Sequence, residues 1–477
     1  MKSVGNIASD SEVVKTASGA IVAGKPVVVN SAGTVSEVSA TAQSLGSETE
    51  FTTTAANYVH VVYDSNSNRS VLIYRNGTNS KGEARVGTVS GTSISYGTAV
   101  EFEQGNTEFI GATFDSNSNK VVIAYRDAGN SNYGTAIVGT VDPSDNSISF
   151  GTAAVFESAH AWIIDATFDS SNNKVVIVYT DADNSNYGTA IVGTVSGTDI
   201  TFGTAVVFKS AATYYAVATF DTTNNKVVVC YDSSNGYGIV GTVSGTSISF
   251  GSETSFDSGG HTDLDVAYDS TSGKVLVVGA SGSDSSRGEA VVGTVSGTSI
   301  SFGTLVSYEA GASTYNRVVF DTNVNKAVVT FRDQGDSNKG KFILGTISGT
   351  DVSFSGLTVF NDANTTYNGT DFDSTSNRVV IGYKDDGDGD DGTVRVLQNA
   401  IPTNLTTENF IGFAKDAVAD GAVATLHSAN SISRNQSSLT AGQTYFVQEN
   451  GTIGTTADST SVTAGTAISA TELIVKG

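Results

Sequence analysis

One cysteine, Cys230, is all that 477 residues contain, so no disulfide framework holds the chain and redox usage does not reveal a compartment. Placed in the apolar run KVVVCYD, that thiol reads as a small buried core residue. Proline is nearly missing as well, 3 residues against 52 glycines, which fits many tight turns and little stiff linker. Positive charge is scarce. Only 25 Lys and Arg face 48 Asp and Glu, a formal charge of -23, and so acidic a surface repels phosphate backbones and disfavours nucleic acid as a partner. Nowhere do about 18 apolar residues run together, so membrane insertion by a helix is not expected. The first residues, MKSVGNIASDSEVV, lack the apolar core of a secretory signal, and work outside a cell would need another route there. Histidine is rare, at 4 residues, and none sits in a zincin, nucleophile-elbow or phosphate-loop context. The sialidase-type S-x-D-x-G-x-T-W box is also missing, so no enzyme is expected.

What the chain does contain is a repeat. Its template is Phe114 to Phe156, FDSNSNKVVIAYRDAGNSNYGTAIVGTVDPSDNSISFGTAAVF: an aromatic-Asp anchor, a polar turn, then a β-branched run. The anchor recurs as Tyr63-Asp64, Phe114-Asp115, Phe168-Asp169, Phe220-Asp221, Tyr268-Asp269, Phe320-Asp321 and Phe372-Asp373, at spacings of 51, 54, 52, 48, 52 and 52 residues. A period of that size in an all-strand pattern points to a radial array of four-stranded units. In the template the four strands are FIGATFD, KVVIAYRD, GTAIVGTV and SISFGTAAVF, here A to D, rich in the residues that suit pleated, largely buried sheets. The glycine inside each VGTV run implies a ring or a neighbouring blade lying over it. An Asp repeated seven times around a ring is a turn cap, bonding the backbone two residues on, rather than an acid-base group.

The expected fold class is all-β: a seven-bladed β-propeller over residues 42–402, with a small β domain built from both termini. The last A-B-C set runs to residue 400 and is followed by Ile401-Pro402-Thr403 instead of a D strand. SLGSETEF at 44–51 resembles a D strand with no A-B-C set before it, and pairing it with 392–399 closes the ring and removes an open edge. The flanks, 1–41 and 403–477, also resemble each other. AGKPVVVNSAGTVSEV (23–38) and AGQTYFVQENGTIGTT (441–456) both read as hairpins with Gly33 and Gly451 at the turns. They are expected to share one composite domain into which the propeller is inserted.

The tail segment beginning NFIGFAKDAVADGAVATLH, with LTAG at 439–442, YFVQ at 445–448, Gly451-Thr452 and the closing AGTAISATELIVKG, resembles a terminal module of virion structural proteins of tailed bacteriophages, especially marine ones. The resemblance covers about 75 residues plus the N-terminal hairpin. It implies a virion location, attachment to other virion proteins through the terminal domain, and a homo-oligomer, and release by lysis makes a secretory signal unnecessary.

Within the propeller the A–B and C–D turns hardly change, whereas the D–A and B–C connections differ in every blade. Rare residues gather in those variable loops, and asymmetric loops on a rigid ring are where binding specificity is usually placed. The candidate ligand-binding residues there are Trp162, His160, Tyr214, Tyr315 and His261. The aromatics five residues before each anchor, including Tyr58, Phe109, Tyr215, Tyr315 and Tyr367, are also consistent with packing. Three residues before each anchor, Asp165, Asp265 and Arg317 should border the central channel, which holds either water or a small ligand. In YKDDGDGDDG, Asp386, Asp388 and Asp390 alternate with glycine as in calcium loops, without the closing Glu or the flanking helices; a solvated acidic loop is the alternative. The functional expectation is a non-enzymatic virion structural protein, of fibre, spike or decoration type, that presents a face to the host surface or its glycans. The alternatives are a polysaccharide-degrading propeller, for which Glu108, Asp165, Asp263 and Asp265 are the available acids, and a decoration protein that only stabilises the capsid.

Overall fold

Strand formation follows the repeat. In the computed structural model, which describes residues 11–476, every regular element is a strand. In the second repeat strands A, B and C are Thr107–Asp115, Lys120–Asp127 and Tyr133–Asp142, and D is Ser147–Phe150 with the opening of Ala154–Asp169. They pair antiparallel in that order. The remainder of Ala154–Asp169 is strand A of the third repeat, so one extended segment leaves one sheet and starts the next. The same pairing recurs at each anchor. The last C strand, Asp391–Gln398, takes its D partner from the other end of the propeller unit: Leu397 pairs with Leu45, Val394 with Thr49 and Asp391 with Ala55. The result is a β-propeller-like all-β fold.

Each anchor Asp accepts a hydrogen bond from the N–H two residues on, in Asn66, Asn117, Ser171, Thr223, Thr271, Asn323 and Thr375, at 2.8–3.0 Å. The fourth residue after each anchor aromatic's Asp completes the turn in the left-handed region, as Asn68, Asn119, Asn173, Asn225, Gly273, Asn325 and Asn377 with φ of 52–65°. Asn and Gly are the residues that enter that region at least cost, which explains the composition of these turns.

Apolar side chains of B and C pack between consecutive sheets, as where Val122, Ala124, Ala136 and Val138 meet Ile164, Val175, Ile177 and Tyr179. A ring from each D strand bridges to the B strand of the following repeat: Phe51–Tyr74, Phe102–Tyr125, Phe156–Tyr179, Phe208–Tyr231, Tyr308–Phe331 and Phe360–Tyr383, with centroids 5.1–5.4 Å apart. Between the fourth and fifth repeats the pair is Phe256–His261, at 5.3 Å. Each D-strand ring lies over a glycine of strand C; a Cβ on Gly134 would come within 2.4 Å of the Phe156 ring. The VGTV glycine Gly139 is covered likewise, by Ile148 and Phe150.

The chain divides into two compact units, Ser44–Gln398 and the combination of Met1–Gln43 with Asn399–Gly477. The second unit contains two five-stranded antiparallel sheets among its described residues. One is formed by Glu12–Thr16, Pro26–Val29, Val35–Glu37, Phe410–Ala414 and Val423–His427, and the other by Ile432–Ser433, Thr444–Val447, Ile453–Gly454, Val462–Ala467 and Leu473–Val475. Numbered along the chain within each sheet, both have the spatial order 1-5-4-2-3. Gly33 and Gly451 have the same φ of +77° at the hairpin turns, and Gly24 and Gly442 each donate to an alanine carbonyl, Ala414 or Ala467, at 2.8 Å. The residues 44–398 enter between the third and fourth strands of the first sheet. Val28, Val38, Phe413, Tyr445, Val447 and Leu473 belong to one shared core.

Candidate binding site at the channel mouth

Every A strand carries one irregularity near its start. Register breaks between Asn57 and His60, Glu108 and Gly111, Trp162 and Asp165, Tyr214 and Val217, Thr262 and Asp265, Thr314 and Arg317, and Thr366 and Gly369. A bulge adds a residue and re-aims a side chain. Here the bulged residue has a positive φ of 44–54° and is Tyr58, Phe109, Ile163, Tyr215, Asp263, Tyr315 or Tyr367. For tyrosine, and still more for β-branched isoleucine, that conformation is strained, and its recurrence means that the surrounding sheet over-determines it.

The seven bulged residues line the mouth of a cavity of about 570 Å³ enclosed by the A strands. Four of them form a continuous arc: Phe109–Tyr58 at 5.5 Å, Tyr58–Tyr367 at 5.1 Å and Tyr367–Tyr315 at 5.3 Å. Guanidinium groups lie over three of those rings, Arg75 on Tyr58 at 5.1 Å, Arg126 on Phe109 at 4.6 Å and Arg332 on Tyr315 at 4.9 Å. The arc is interrupted by Ile163 and Asp263, on either side of Tyr215. At this interruption the residues preceding the bulge are Trp162 and Tyr214, in equivalent register positions of adjacent repeats. Tyr214 is 40% exposed and Trp162 partly so.

Trp162 is held in place by a polar chain. Its indole N–H donates to Nε2 of His160 at 2.5 Å, and Nη1 of Arg126 lies 3.0 Å from the same nitrogen. Both partners are donors, so Nε2 must carry the lone pair and His160 is neutral. Burial, then the charge of Arg126, push its pKa below the usual histidine value. Arg126 and Arg75 both bind Glu108.

Inside the channel Asp165 and Asp265, expected to border it, and also Asp371 are tied to the backbone of the next repeat. Oδ2 of Asp165 accepts from the Ala218 N–H at 2.8 Å, that of Asp265 from Val318 at 2.7 Å, and that of Asp371 from Tyr63 at 2.7 Å. Arg317 donates to the Asn316 carbonyl at 2.7 Å and faces Asp265 across the channel lining. Enclosure pushes the Asp165 carboxyl up to about 7, with Asp265 adding to it, and the Asp371 carboxyl up to about 6. His60, whose Nε2 reaches the Ala112 carbonyl at 3.2 Å, is driven down to about 4 by burial and by Arg317.

Of the residues singled out by sequence, Tyr315, Asp165, Asp265 and Arg317 line the cavity, whereas His160, Trp162 and Tyr214, on the strands just before the bulges of the third and fourth repeats, are not among its lining residues. His261 does not reach the surface, which corrects its reading as a face residue. It is 2% exposed, its ring packed edge-on against Phe256 and bordering, with Leu264, the space over Gly279 of the opposite strand. In the acidic loop the ammonium of Lys384 pairs with Asp386 at 2.8 Å and with Asp390 at 3.2 Å, and Asp386 is further held by Asn364 and Thr366. Asp388 joins no group of metal-competent atoms among the described residues. Sequence reading found the aromatics five residues before each anchor without finding what they do. The signal is the position itself, but an inward turn through a strained bulge leaves no Gly or Asn to mark it.

No family model and no curated protein matches the chain. Among solved structures it is similar to a protein of unknown function from Dyadobacter fermentans, with 8% identity, a TM-score of 0.47, and coverage of 75% of this chain and 99% of that one. It is also similar to the BP39L lectin from Burkholderia pseudomallei, with 10% identity, a TM-score of 0.52, and coverage of 74% of this chain and 98% of that one. At such identity the likeness concerns the fold.

Proposed function

We propose that this chain is a non-enzymatic bacteriophage virion protein whose seven repeats close into a seven-bladed propeller, completed by the D strand at residues 44–51, and that the channel-mouth face binds host-surface glycan. The observation that carries the binding role is that Trp162 and Tyr214 take equivalent register positions in the two adjacent repeats where the aromatic arc is interrupted. Aromatic faces offer apolar area to a sugar ring, while His160, Arg126 and Glu108 supply polar groups at its edge. Glu108 is bound by two arginines, and Asp165 and Asp265 are committed to backbone N–H groups, which favours binding over hydrolysis by a carboxylate pair. The solved lectin is a carbohydrate-binding precedent of similar fold. The virion role rests on the likeness of the terminal segment to phage structural modules. In that setting the terminal unit attaches to neighbouring virion proteins as part of a homo-oligomer.

The test is binding of purified protein to host surface polysaccharide. Trp162→Ala is expected to weaken binding by about 1–3 kcal/mol, the usual cost of truncating an interface anchor, with an unchanged melting temperature. Full binding by the folded variant, or no glycan binding by the wild type, would overturn the reading, and shortening of the polysaccharide would replace it with an enzymatic one.

A further inference from the structure

The fifth repeat departs from the others at two places that meet in space, Gly279 on strand B and His261 on strand A. Where the other B strands present Tyr74, Tyr125, Tyr179, Tyr231, Phe331 and Tyr383, this one has Gly279, and directly opposite it on strand C stands Glu289. The ring of His261, from strand A, takes over the packing of the lost aromatic against Phe256. Packing accounts for an aromatic ring there but not for the carboxylates at both of its nitrogens. Nδ1 lies 3.4 Å from Oδ2 of Asp257, and Nε2 lies 3.5 Å from Oε2 of Glu289.

These atoms are not hydrogen-bonded to each other. Both ring nitrogens and Oε2 of Glu289 are buried without a partner, in residues that are 2% and 3% exposed. A buried unsatisfied polar group costs about 1–3 kcal/mol, so three together call for something between them. Arg287 neutralises only the other oxygen of Glu289, through a 2.8 Å bond from its Nε.

We propose that His261 and Glu289 are ligands of a divalent transition-metal ion of the zinc class, with Asp257 as the carboxylate that orients the histidine. A separation of 3.5 Å between Nε2 and Oε2 is what two ligands at about 2.1 Å from a tetrahedral ion require. An ion on Nε2 fixes the proton on Nδ1, which then donates to Asp257, the carboxylate–histidine–metal arrangement that keeps a ligating ring in place. Water fills the remaining positions, reaching the ion past Asp257, whose side chain is the partly exposed member of the group at 18%. Imidazole with one carboxylate and water suits zinc or cobalt better than calcium, which prefers all-oxygen shells.

The experiment uses tag-free full-length protein, stripped with chelator and titrated with Zn²⁺ and with Co²⁺. One equivalent is expected to bind saturably, to raise the melting temperature, and with Co²⁺ to give visible d–d absorption. Glu289→Gln, which keeps size and shape, is expected to abolish the saturable step, and Asp257→Asn to weaken it 10–100-fold, as loss of an orienting partner does. Adventitious binding to the acidic surface would be the same in wild type and Glu289→Gln. Uptake that does not differ between those two folded proteins, or no uptake by either, would overturn the proposal and leave His261 as a core residue.

Discussion

At the scale of the residue, the repeat is held by pairs in which one partner is small because the other is large. Gly134 lies under Phe156 so closely that a Cβ would come within 2.4 Å of the ring, and that ring packs at a tilt against Tyr179 of the next sheet. Gly134→Ala is therefore expected to destabilise the protein by about 1–3 kcal/mol, the usual price of overpacking, read from urea denaturation. The channel carboxylates make a second expectation. Asp165 and Asp371 are raised to about 7 and about 6, above the carboxyl value of about 4 in an unfolded chain. The folded state thus holds protons that the unfolded state has released. The contribution is full below pH ~4 and is lost as pH rises through the folded values, so stability from these groups falls between pH ~4 and ~7. Asp165→Asn, which can still accept from Ala218, should flatten that fall, and melting temperatures of wild type and variant across the range will show it. A wild-type slope no steeper than that of the variant would contradict the assignment. At this scale the sequence was legible where a residue recurs, as in the anchor Asp caps, and illegible where it departs: nothing local distinguishes a histidine bordering the space above Gly279 from one on a loop.

At the scale of the element, turns and strands were readable because the Asn and Gly of the left-handed turns and the β-branched runs declare themselves at a fixed period. The A-strand bulges were not. An inserted residue breaks the two-residue alternation on which strand reading depends, and the residues placed there, Tyr, Phe, Ile and Asp, carry no mark of positive φ. The acidic loop is ambiguous in sequence for a related reason, since Lys384 stands two residues before Asp386 but only the fold of the turn brings Asp390 to the same ammonium. The strand at residues 49–55 gives this scale its prediction. Phe51 is fully buried, meets Tyr74 edge to face at 5.1 Å and covers Gly392 of the last repeat, so it joins the two ends of the 44–398 unit. Phe51→Ala should cost about 3–5 kcal/mol, as truncation of a buried phenylalanine does. If a folded variant loses less than about 1 kcal/mol in denaturant melts, the strand does not hold the ring closed.

At the scale of the whole molecule, the terminal unit is built twice from one plan, and residues 44–398 are inserted in the sequence of the first copy. The resemblance of the two hairpins was visible in the sequence because their turns share Gly-Thr. The other strands of each copy were not matched, since IGFA and AGTA share too few residues to align across loops of different length. The ends of the insertion meet: Thr41 and Ile401 exchange backbone hydrogen bonds at 3.0 and 2.9 Å, and the Gln43 amide reaches Asn399 at 3.5 Å. The shared core around Val28, Phe413, Tyr445 and Leu473 draws on both sheets and contains no residue from 44–398. Replacing residues 44–398 by a short Gly-Ser linker should therefore leave a unit that folds alone, because closing the chain between adjacent ends costs little loop entropy. The expected outcome is a cooperative thermal transition with β-type circular dichroism and dispersed amide resonances. An aggregated or non-cooperative product would mean that the terminal unit depends on the propeller. The second copy has its own counterpart of the insertion site at residues 455–461, between Ile453–Gly454 and Val462–Ala467. A small domain placed there should be accepted with the fold of the first copy unchanged, and failure at this loop alone would show that the two copies have ceased to be equivalent.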